Sequence, residues 1–113
     1  MAVTMYHNPR CNTSRRTLAL LREKGVEPTI IEYLKTPYTA AQLKKILGQL
    51  KMPAKGLVRK REAAAAGIDP AALSEEALIE AMVKNPIIVE RPIVISGAKA
   101  ALGRPPEAVL SVL

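Results

Sequence analysis

The sequence predicts an α/β fold in which a mixed sheet carries helices on its faces. A strand, a helix and a second strand fill the first third of the chain, the middle is helical in pattern, and the last part returns to strand, turn, strand and helix. Two strands joined through a helix usually lie parallel in one sheet, and the helix packs on that sheet. In a single layered domain, we expect the later strands to join the same sheet.

The first third contains the strand-helix-strand unit. Residues 2–6 form a short apolar run with β-branched members, which is typical of a strand. A helix is then expected to begin at a cap formed by Asn12 or Thr13 and to stop at Gly25. Residues 29–33 contain strand-forming residues and are predicted to be the second, parallel strand.

Helical signals dominate the middle of the chain. Thr39 opens a predicted helix that Pro53 closes, with apolar residues at helical steps: Leu43, Ile46, Leu47 and Leu50. Residues 54–84 continue in short helical segments, and Ser74 is a candidate N-cap for the last of them.

Strand patterns return after this helical stretch. Residues 93–95 predict a buried strand, Ser96-Gly97 a turn, and the region around Ala101-Leu102 a short strand. Pro105-Pro106-Glu107 then starts a predicted helix that ends in Leu113.

Length and composition predict one domain over residues 1–113. The chain has 113 residues, of which 49% are hydrophobic and 24% charged, values typical of soluble globular proteins. It contains no repeat, linker or membrane-length apolar run, and its N-terminus does not resemble a secretory signal. The expected location is the cytoplasm, and membrane association is not expected.

The net charge of +7 predicts an anionic partner. Proteins that bind single-stranded nucleic acid also need aromatic side chains on which bases stack, and only 3% of these residues are aromatic. Nucleic acid is therefore not the expected partner, and small anions match the composition better.

Cys11 is the candidate nucleophile. It lies in the predicted connection between the first strand and the first helix, where unpaired backbone N–H groups and the helix dipole stabilise an anion. Arg10, Arg15 and Arg16 add positive charge beside it. The alternative interpretation is an inert buried thiol, which the polar residues that follow Cys11 disfavour.

Cys11 is the only cysteine, so the chain has no internal disulfide, and any redox cycle must use an external thiol. No metal site is predicted, because a multi-thiolate site is impossible and His7 is the only histidine. His7 could interact with the thiolate or could be a turn residue bonded to the backbone. Ser14 completes a Cys-x-x-Ser motif, and its hydroxyl could donate to the sulfur.

Arg59, Arg91 and Arg104 are candidate anion ligands. Arg91 and Arg104 each precede a proline, which stiffens the local backbone. A guanidinium held in this way presents a donor fork that suits a tetrahedral oxyanion. Each arginine taken singly is more often a solvated surface residue, and the sequence pattern does not bring the three together.

The segment Tyr6-His-Asn-Pro-Arg-Cys-Asn-Thr-Ser-Arg15 resembles the N-terminal signature of the glutaredoxin-coupled arsenate reductase family. Further segments also resemble this family and occur in its order: Gly25-Val-Glu-Pro-Thr-Ile-Ile-Glu-Tyr-Leu, Leu57-Val-Arg-Lys, Asn85-Pro-Ile-Ile-Val-Glu-Arg-Pro-Ile-Val and Gly103-Arg-Pro-Pro-Glu. The resemblance covers nearly the whole chain.

The resemblance implies a thioredoxin-like fold with a helical insertion. By the same resemblance, Cys11 matches the nucleophile, His7 the histidine of the active-site loop, and Pro92 a cis-proline beside the site. The arginines that match the family's oxyanion ligands are Arg59, Arg91 and Arg104. Ser14 and Arg15 are second-choice site residues.

The implied reaction is reduction of arsenate to arsenite, with glutathione as co-substrate, glutaredoxin as the final reductant and no bound cofactor. A related small oxyanion or a disulfide is an alternative substrate. Two other functions stay open at this point: a regulator that binds RNA polymerase, and a glutathione-linked disulfide exchanger. The first is a binding function, and the second would use Cys11 in a mixed disulfide.

Overall fold

The computed structural model describes residues 2–113, which divide into two compact units. The first unit contains the residues up to Thr36 together with Arg91–Leu113, and the second contains Pro37–Glu90. The second unit is therefore an insertion along the chain between the two parts of the first.

The first unit contains a four-stranded mixed sheet. Its strands are β1 (Val3–His7), β2 (Thr29–Glu32), β3 (Ile93–Ser96) and β4 (Lys99–Leu102), in the order β2-β1-β3-β4. β1 and β2 are parallel, whereas β3 is antiparallel to both β1 and β4. The predicted mixed sheet is confirmed.

One face of this sheet packs against helix α1 (Asn12–Glu23) and a 3₁₀ helix over Pro106–Val112. Residues that alternate along β1 share that face, as the two-residue period of a strand requires. The buried cluster between these elements is apolar: Val3, Met5, Leu21, Val94, Val109 and Val112. Burial of these side chains holds α1 and its N-terminus against the sheet.

Helix α1 ends where the sequence predicts. Gly25 has a φ of +79°, a left-handed conformation that glycine adopts without the steric cost of a side chain. Its N–H donates to the carbonyl of Arg22 at 3.0 Å, and the N–H of Val26 reaches the carbonyl of Leu21 at 2.9 Å. These bonds satisfy carbonyl groups at the helix end and turn the chain towards β2.

The second unit is helical. Its α-helices are α2 (Ala40–Leu50), α3 (Lys60–Ala65) and α4 (Glu75–Lys84), with 3₁₀ turns at Ala54–Leu57, Pro70–Ala72 and Pro86–Ile88. Its buried core is formed by apolar side chains from these segments, among them Leu43, Ile46, Leu57, Leu78, Met82 and Ile88.

Helix caps in the second unit form as predicted. Thr39 accepts the N–H of Gln42 at 3.1 Å while the Gln42 side chain accepts the N–H of Thr39 at 2.9 Å, which is a complete capping box. Ser74 accepts the N–H of Ala77 at 3.2 Å. The carboxylate of Glu75 also accepts the N–H of Ala54 at 3.0 Å, which connects α4 to the turn after α2.

The structure differs from the sequence prediction at the C-terminus. The final segment is a 3₁₀ helix over Pro106–Val112, where the sequence predicts an ordinary helix. The prolines Pro105 and Pro106 lack backbone N–H groups, and the segment is short, conditions under which tighter turns are common. From residue 2 to residue 113, no helix is long and apolar enough to cross a membrane.

Candidate active site

Cys11 is the N-cap of α1, one residue before Asn12 and two before Thr13, the two predicted caps. Its carbonyl accepts the N–H of Arg15 at 3.0 Å, which is the first bond of the helix, and its own N–H donates to the carbonyl of Asn8 at 3.0 Å. Its backbone is extended, with φ −94° and ψ 123°. The sulfur therefore lies at the position where the helix presents unpaired N–H groups.

The environment of Cys11 favours the thiolate. Burial raises the pKa of the thiol and is the largest single influence on it. Three residues lower this pKa: Ser14 and Thr13 through their backbone N–H groups, and Arg91 through a side-chain hydrogen bond and its charge. Together these effects outweigh burial. The pKa of Cys11 is therefore below that of an ordinary thiol, which increases the fraction of thiolate at neutral pH.

Arg91 and Arg104 both lie beside the sulfur. Arg104 Nη2 is 3.8 Å from Cys11 Sγ, and Arg104 Nε donates to the carbonyl of Arg91 at 2.8 Å. Arg91 Nε and Nη1 are buried and have no hydrogen-bond partner among the described residues. Burying a guanidinium N–H costs free energy unless a hydrogen-bond acceptor pairs with it. This position is therefore suited to an anion that binds next to the thiol and accepts those hydrogen bonds.

The two Arg-Pro segments that carry these guanidinium groups contact each other. Both Arg91-Pro92 and Arg104-Pro105 are cis peptide bonds, in agreement with the cis-proline expected at Pro92. The N–H of Gly103 donates to the carbonyl of Pro92 at 2.9 Å. A Cβ at Gly103 would lie 2.7 Å from Pro92 Cγ and 2.8 Å from Thr17 Oγ1, so only glycine fits there.

His7 and Ser14 form a buried pair. His7 Nδ1 is 2.6 Å from Ser14 Oγ, which also accepts the N–H of Asn8 at 3.1 Å. The hydroxyl of Ser14 is therefore directed at His7, and the group of Ser14 that acts on the sulfur is its backbone N–H. Burial lowers the pKa of His7, Glu32 opposes this effect, and Arg22 and Arg15 add to it, so the environment favours the neutral imidazole.

Arg15 is exposed, and its guanidinium is bonded to the loop that precedes the helix. Nη1 donates to the carbonyl of Pro9 at 2.8 Å, and Nη2 donates to Asn12 Oδ1. The bond to Pro9 connects the first turn of α1 to the loop before Cys11, and the bond to Asn12 lies within that turn. The guanidinium of Arg15 is therefore bonded both to the loop before Cys11 and to the first residue of α1.

Arg59 belongs to the second unit, where it is paired with two carboxylates. Its Nε lies 3.0 and 3.1 Å from the two carboxylate oxygens of Glu62, and its Nη1 is 3.2 Å from Glu90 Oε1. Its N–H donates to the carbonyl of Ile88 at 2.7 Å. The three side chains are similarly buried, with exposed fractions of 22%, 22% and 23%.

Sequence reasoning missed two residues that shape the site. Asn8 is buried, and it accepts the N–H of Cys11 with its carbonyl and the N–H of Arg10 with Oδ1 at 3.0 Å. Gly103 is the second, because its N–H donates to the carbonyl of Pro92 and a side chain there would lie within 3 Å of Pro92 and Thr17. The signal for Asn8 was present, since asparagine before proline is typical of turns that use the side chain as an acceptor.

The fold and the site define a thiol-based α/β domain, in which a single cysteine caps a helix beside two arginines.

The model of the ArsC family matches residues 6–112. The "Uncharacterized protein YfgD" of Escherichia coli (strain K12) is 52% identical over 114 residues, which cover 98% of this chain and 96% of that protein. An "Arsenate reductase" of Rhizobium meliloti (strain 1021) is 40% identical and covers 100% of this chain and 82% of that protein.

A solved structure titled "Arsenate reductase from Vibrio cholerae" has a TM-score of 0.91 with 41% identity, over 100% of this chain and 98% of that chain. The chain therefore belongs to the ArsC family. The expected thioredoxin-like fold with a helical insertion is confirmed, and Pro37–Glu90 is the insertion. The expectation that the chain is an enzyme of the oxidoreductase class is also confirmed.

Proposed function

We propose that the chain is an arsenate reductase that uses the Cys11 thiolate as nucleophile, glutathione as co-substrate and glutaredoxin as final reductant. The observation that carries this proposal is the arrangement at the sulfur. Cys11 Sγ lies 3.8 Å from Arg104 Nη2 and accepts a hydrogen bond from Arg91, whose Nε and Nη1 are buried without a hydrogen-bond partner among the described residues. Such donors suit a tetrahedral oxyanion held against the nucleophile.

Positive charge is needed because the nucleophile and the substrate are both anions. Two guanidinium groups and the N-terminus of α1 offset that repulsion, and they remain charged throughout the neutral pH range. Holding the oxyanion against the sulfur also makes attack an intramolecular step. Arg91 and Arg104 are therefore the proposed oxyanion ligands with the most direct geometric support.

The first step forms a bond between sulfur and arsenic. The Cys11 thiolate attacks As(V), a sulfur–arsenic bond forms, and one arsenate oxygen leaves as water after protonation. A second condensation, with the thiol of glutathione, releases another water and gives an adduct in which arsenic carries both sulfurs. No change in oxidation state has occurred at this stage.

Reduction occurs when the glutaredoxin thiol attacks the sulfur of glutathione in that adduct. A disulfide forms between glutathione and glutaredoxin, the bond between arsenic and the glutathione sulfur breaks, and its electron pair reduces As(V) to As(III). The proton of the glutaredoxin thiol passes to an arsenic oxygen. Water then displaces the Cys11 sulfur and releases arsenite. An external thiol is required because Cys11 is the only cysteine.

The other proposed site residues have supporting roles. His7 and Ser14 are proposed to hold the turn before Cys11 through their 2.6 Å contact. Arg15 is proposed to add positive charge for the substrate while it anchors the loop. The role of Arg59 as a third oxyanion ligand is supported by its place in the Leu57-Val-Arg-Lys segment of the family. We place the protein in the cytoplasm, whose reducing conditions suit a single reactive thiol.

The test is arsenite production with arsenate, glutathione and glutaredoxin. Cys11→Ser is expected to abolish production, and Arg91→Ala to raise the KM for arsenate roughly tenfold to a hundredfold, since it removes a charged donor. Lys24→Ala, at the far end of α1, is the matched charge control and is expected to behave like the wild type. Equal rates for the wild type and Cys11→Ser would contradict the proposal.

The same assay separates the alternatives. A wild-type protein that forms a mixed disulfide with oxidised glutathione and produces no arsenite would be a disulfide exchanger. A protein without turnover that co-purifies with RNA polymerase subunits would be a regulator. Either outcome would contradict arsenate reduction.

A further inference from the structure

A cavity of about 320 Å³ lies beside the loop that leads to Cys11. Residues 7–10 form one wall, and Glu32, Leu34 and Lys35, at and after the end of β2, form the other. The volume is within the range of about 300–1,000 Å³ found for small-molecule sites. Arg10, which lines the cavity, is directly bonded to Cys11 in the chain.

The cavity presents two cations and one carboxylate. Arg10 and Lys35 supply the positive charges, and Glu32 supplies the negative one. Glu32 and Lys35 are 3.6 Å apart, with exposed side-chain fractions of 38% and 79%. An exposed pair at this separation contributes little stability, so a ligand can replace it at low cost. Leu34 is 41% exposed and adds an apolar surface at the same place.

We propose that this cavity binds glutathione, an inference that rests on the proposed function and adds the binding site of its co-substrate. Glutathione carries two carboxylates and one ammonium group, with its thiol between them. The carboxylates match Arg10 and Lys35, the ammonium matches Glu32, and the apolar part of the tripeptide contacts Leu34. The charges of the cavity are thus complementary to those of the ligand.

Residues 7–10 form a wall of the cavity and lead directly to Cys11, so glutathione bound there would lie beside the loop that carries the nucleophile, as the second condensation of the proposed cycle requires. The thiol of glutathione must reach the arsenic bonded to Cys11, where a sulfur–arsenic bond forms and water leaves with the thiol proton. The N–H of Arg10 donates to Asn8 Oδ1 at 3.0 Å, and the N–H of Cys11 donates to the carbonyl of Asn8 at 3.0 Å. Asn8 therefore fixes both the cavity wall and the nucleophile.

A neighbouring cavity of about 530 Å³ matches glutathione less well. It is lined by residues that include His7, Leu18, Arg15 and Arg22. Its two arginines make closer bonds than the single 3.6 Å contact between Lys35 and Glu32: Arg15 donates to the Pro9 carbonyl at 2.8 Å, and Arg22 donates to both carboxylate oxygens of Glu27 at 3.1 to 3.3 Å. No carboxylate lines it to receive the ammonium group.

The test compares two thiol donors in arsenate reduction by the full chain. For Arg10→Ala and Lys35→Ala, we expect the KM for glutathione to rise roughly tenfold, because each variant removes one carboxylate contact. For Lys35→Ala, which removes no charge beside Cys11, the rate with dithiothreitol, a thiol without carboxylates, and the KM for arsenate should stay unchanged. Lys24→Ala is the charge-matched control and should leave all three quantities unchanged. An unchanged KM for glutathione, or an equal loss with both thiols, would overturn the site.

Direct binding keeps this inference separate from the proposed function. S-methylglutathione cannot react, and calorimetry should show it binding to the wild type and Lys24→Ala roughly tenfold more tightly than to Arg10→Ala or Lys35→Ala. This difference in S-methylglutathione affinity, found without arsenate turnover, would support the glutathione site and contradict the proposed reductase activity. Turnover with equal S-methylglutathione binding in all four proteins, or with none, would overturn the site and leave the reductase supported.

Discussion

The reactivity of Cys11 depends on groups that are far apart in the chain. Its helix position supplies the N–H groups of Thr13 and Ser14, which any strand-to-helix connection could provide. The charge and hydrogen bond of Arg91 come from the segment before β3. Burial alone raises the pKa of the thiol, and the two sources together outweigh it.

His7 should make the stability of the protein depend on pH. Its pKa in the folded protein is lower than in the unfolded chain, so the unfolded state binds more protons as the pH falls below the usual histidine value of about 6.5. The free energy of unfolding should therefore be fully retained above that pH and decrease below it. Urea unfolding at pH 7.5 and pH 5.5 measures this decrease.

The control for this prediction is His7→Gln, which removes the only histidine and leaves every carboxylate in place. The variant should lose less stability than the wild type between the two pH values. Equal losses in the two proteins would show that His7 does not cause the dependence.

Among the elements, the connection between the two Arg-Pro segments determines the geometry of the site. The bonds from Arg104 Nε to the Arg91 carbonyl and from the Gly103 N–H to the Pro92 carbonyl, 2.8 and 2.9 Å long, join the start of β3 to the end of β4. Two guanidinium groups are thereby held at one position beside α1. A strand pattern predicts each segment but not the close approach between them.

Gly103→Ala should disturb this connection. The added methyl group would lie within 3 Å of Pro92 and Thr17, and overpacking of this kind typically costs about 1–3 kcal/mol of unfolding free energy. Urea unfolding measures the loss. Gly48→Ala is the matched control: it lies inside α2 with nothing within 4 Å of the new Cβ, and it should stabilise by up to about 1 kcal/mol. Equal effects of the two changes would contradict the close contact.

For the whole molecule, the net charge of +7 predicts an anionic partner. Part of this positive charge lies at the candidate active site. Arg91 and Arg104 lie at the sulfur, and Arg15 lies on the loop before it. Composition indicates only the sign of the partner's charge. The size and shape of that partner depend on where the guanidinium groups meet, and this is a property of the folded chain.

The single domain over residues 1–113 stays a prediction, since the chain contains two compact units. We expect them to unfold together. Leu21→Ala in the first unit and Leu78→Ala in the second each remove a fully buried side chain, and each should lower the common unfolding free energy by about 2–5 kcal/mol. Amide NMR signals from both units, followed in urea, should give one midpoint per protein. A midpoint that moves in one unit only would show two domains.

Local patterns in the sequence were sufficient to predict the strands, the helix caps at Thr39 and Ser74 and the end of α1 at Gly25. Capping and turn chemistry act between near neighbours in the chain, so such features can be recognised locally. The same patterns erred by one or two residues at the cap of α1, which is Cys11 and not Asn12 or Thr13. They also indicated Cys11 as the nucleophile, since a strand-to-helix connection is recognisable from adjacent residues.

Only the tertiary structure determined which partners surround that sulfur. It brought Arg91 and Arg104 to Cys11, directed the Ser14 hydroxyl to His7, and placed Pro92 and Thr17 too close to Gly103 for a side chain to fit without a shift. These relations depend on strand register and on contacts between segments distant in the chain. Residue spacing carries no information about such distances, because they are set when the sheet and α1 pack around a common apolar core.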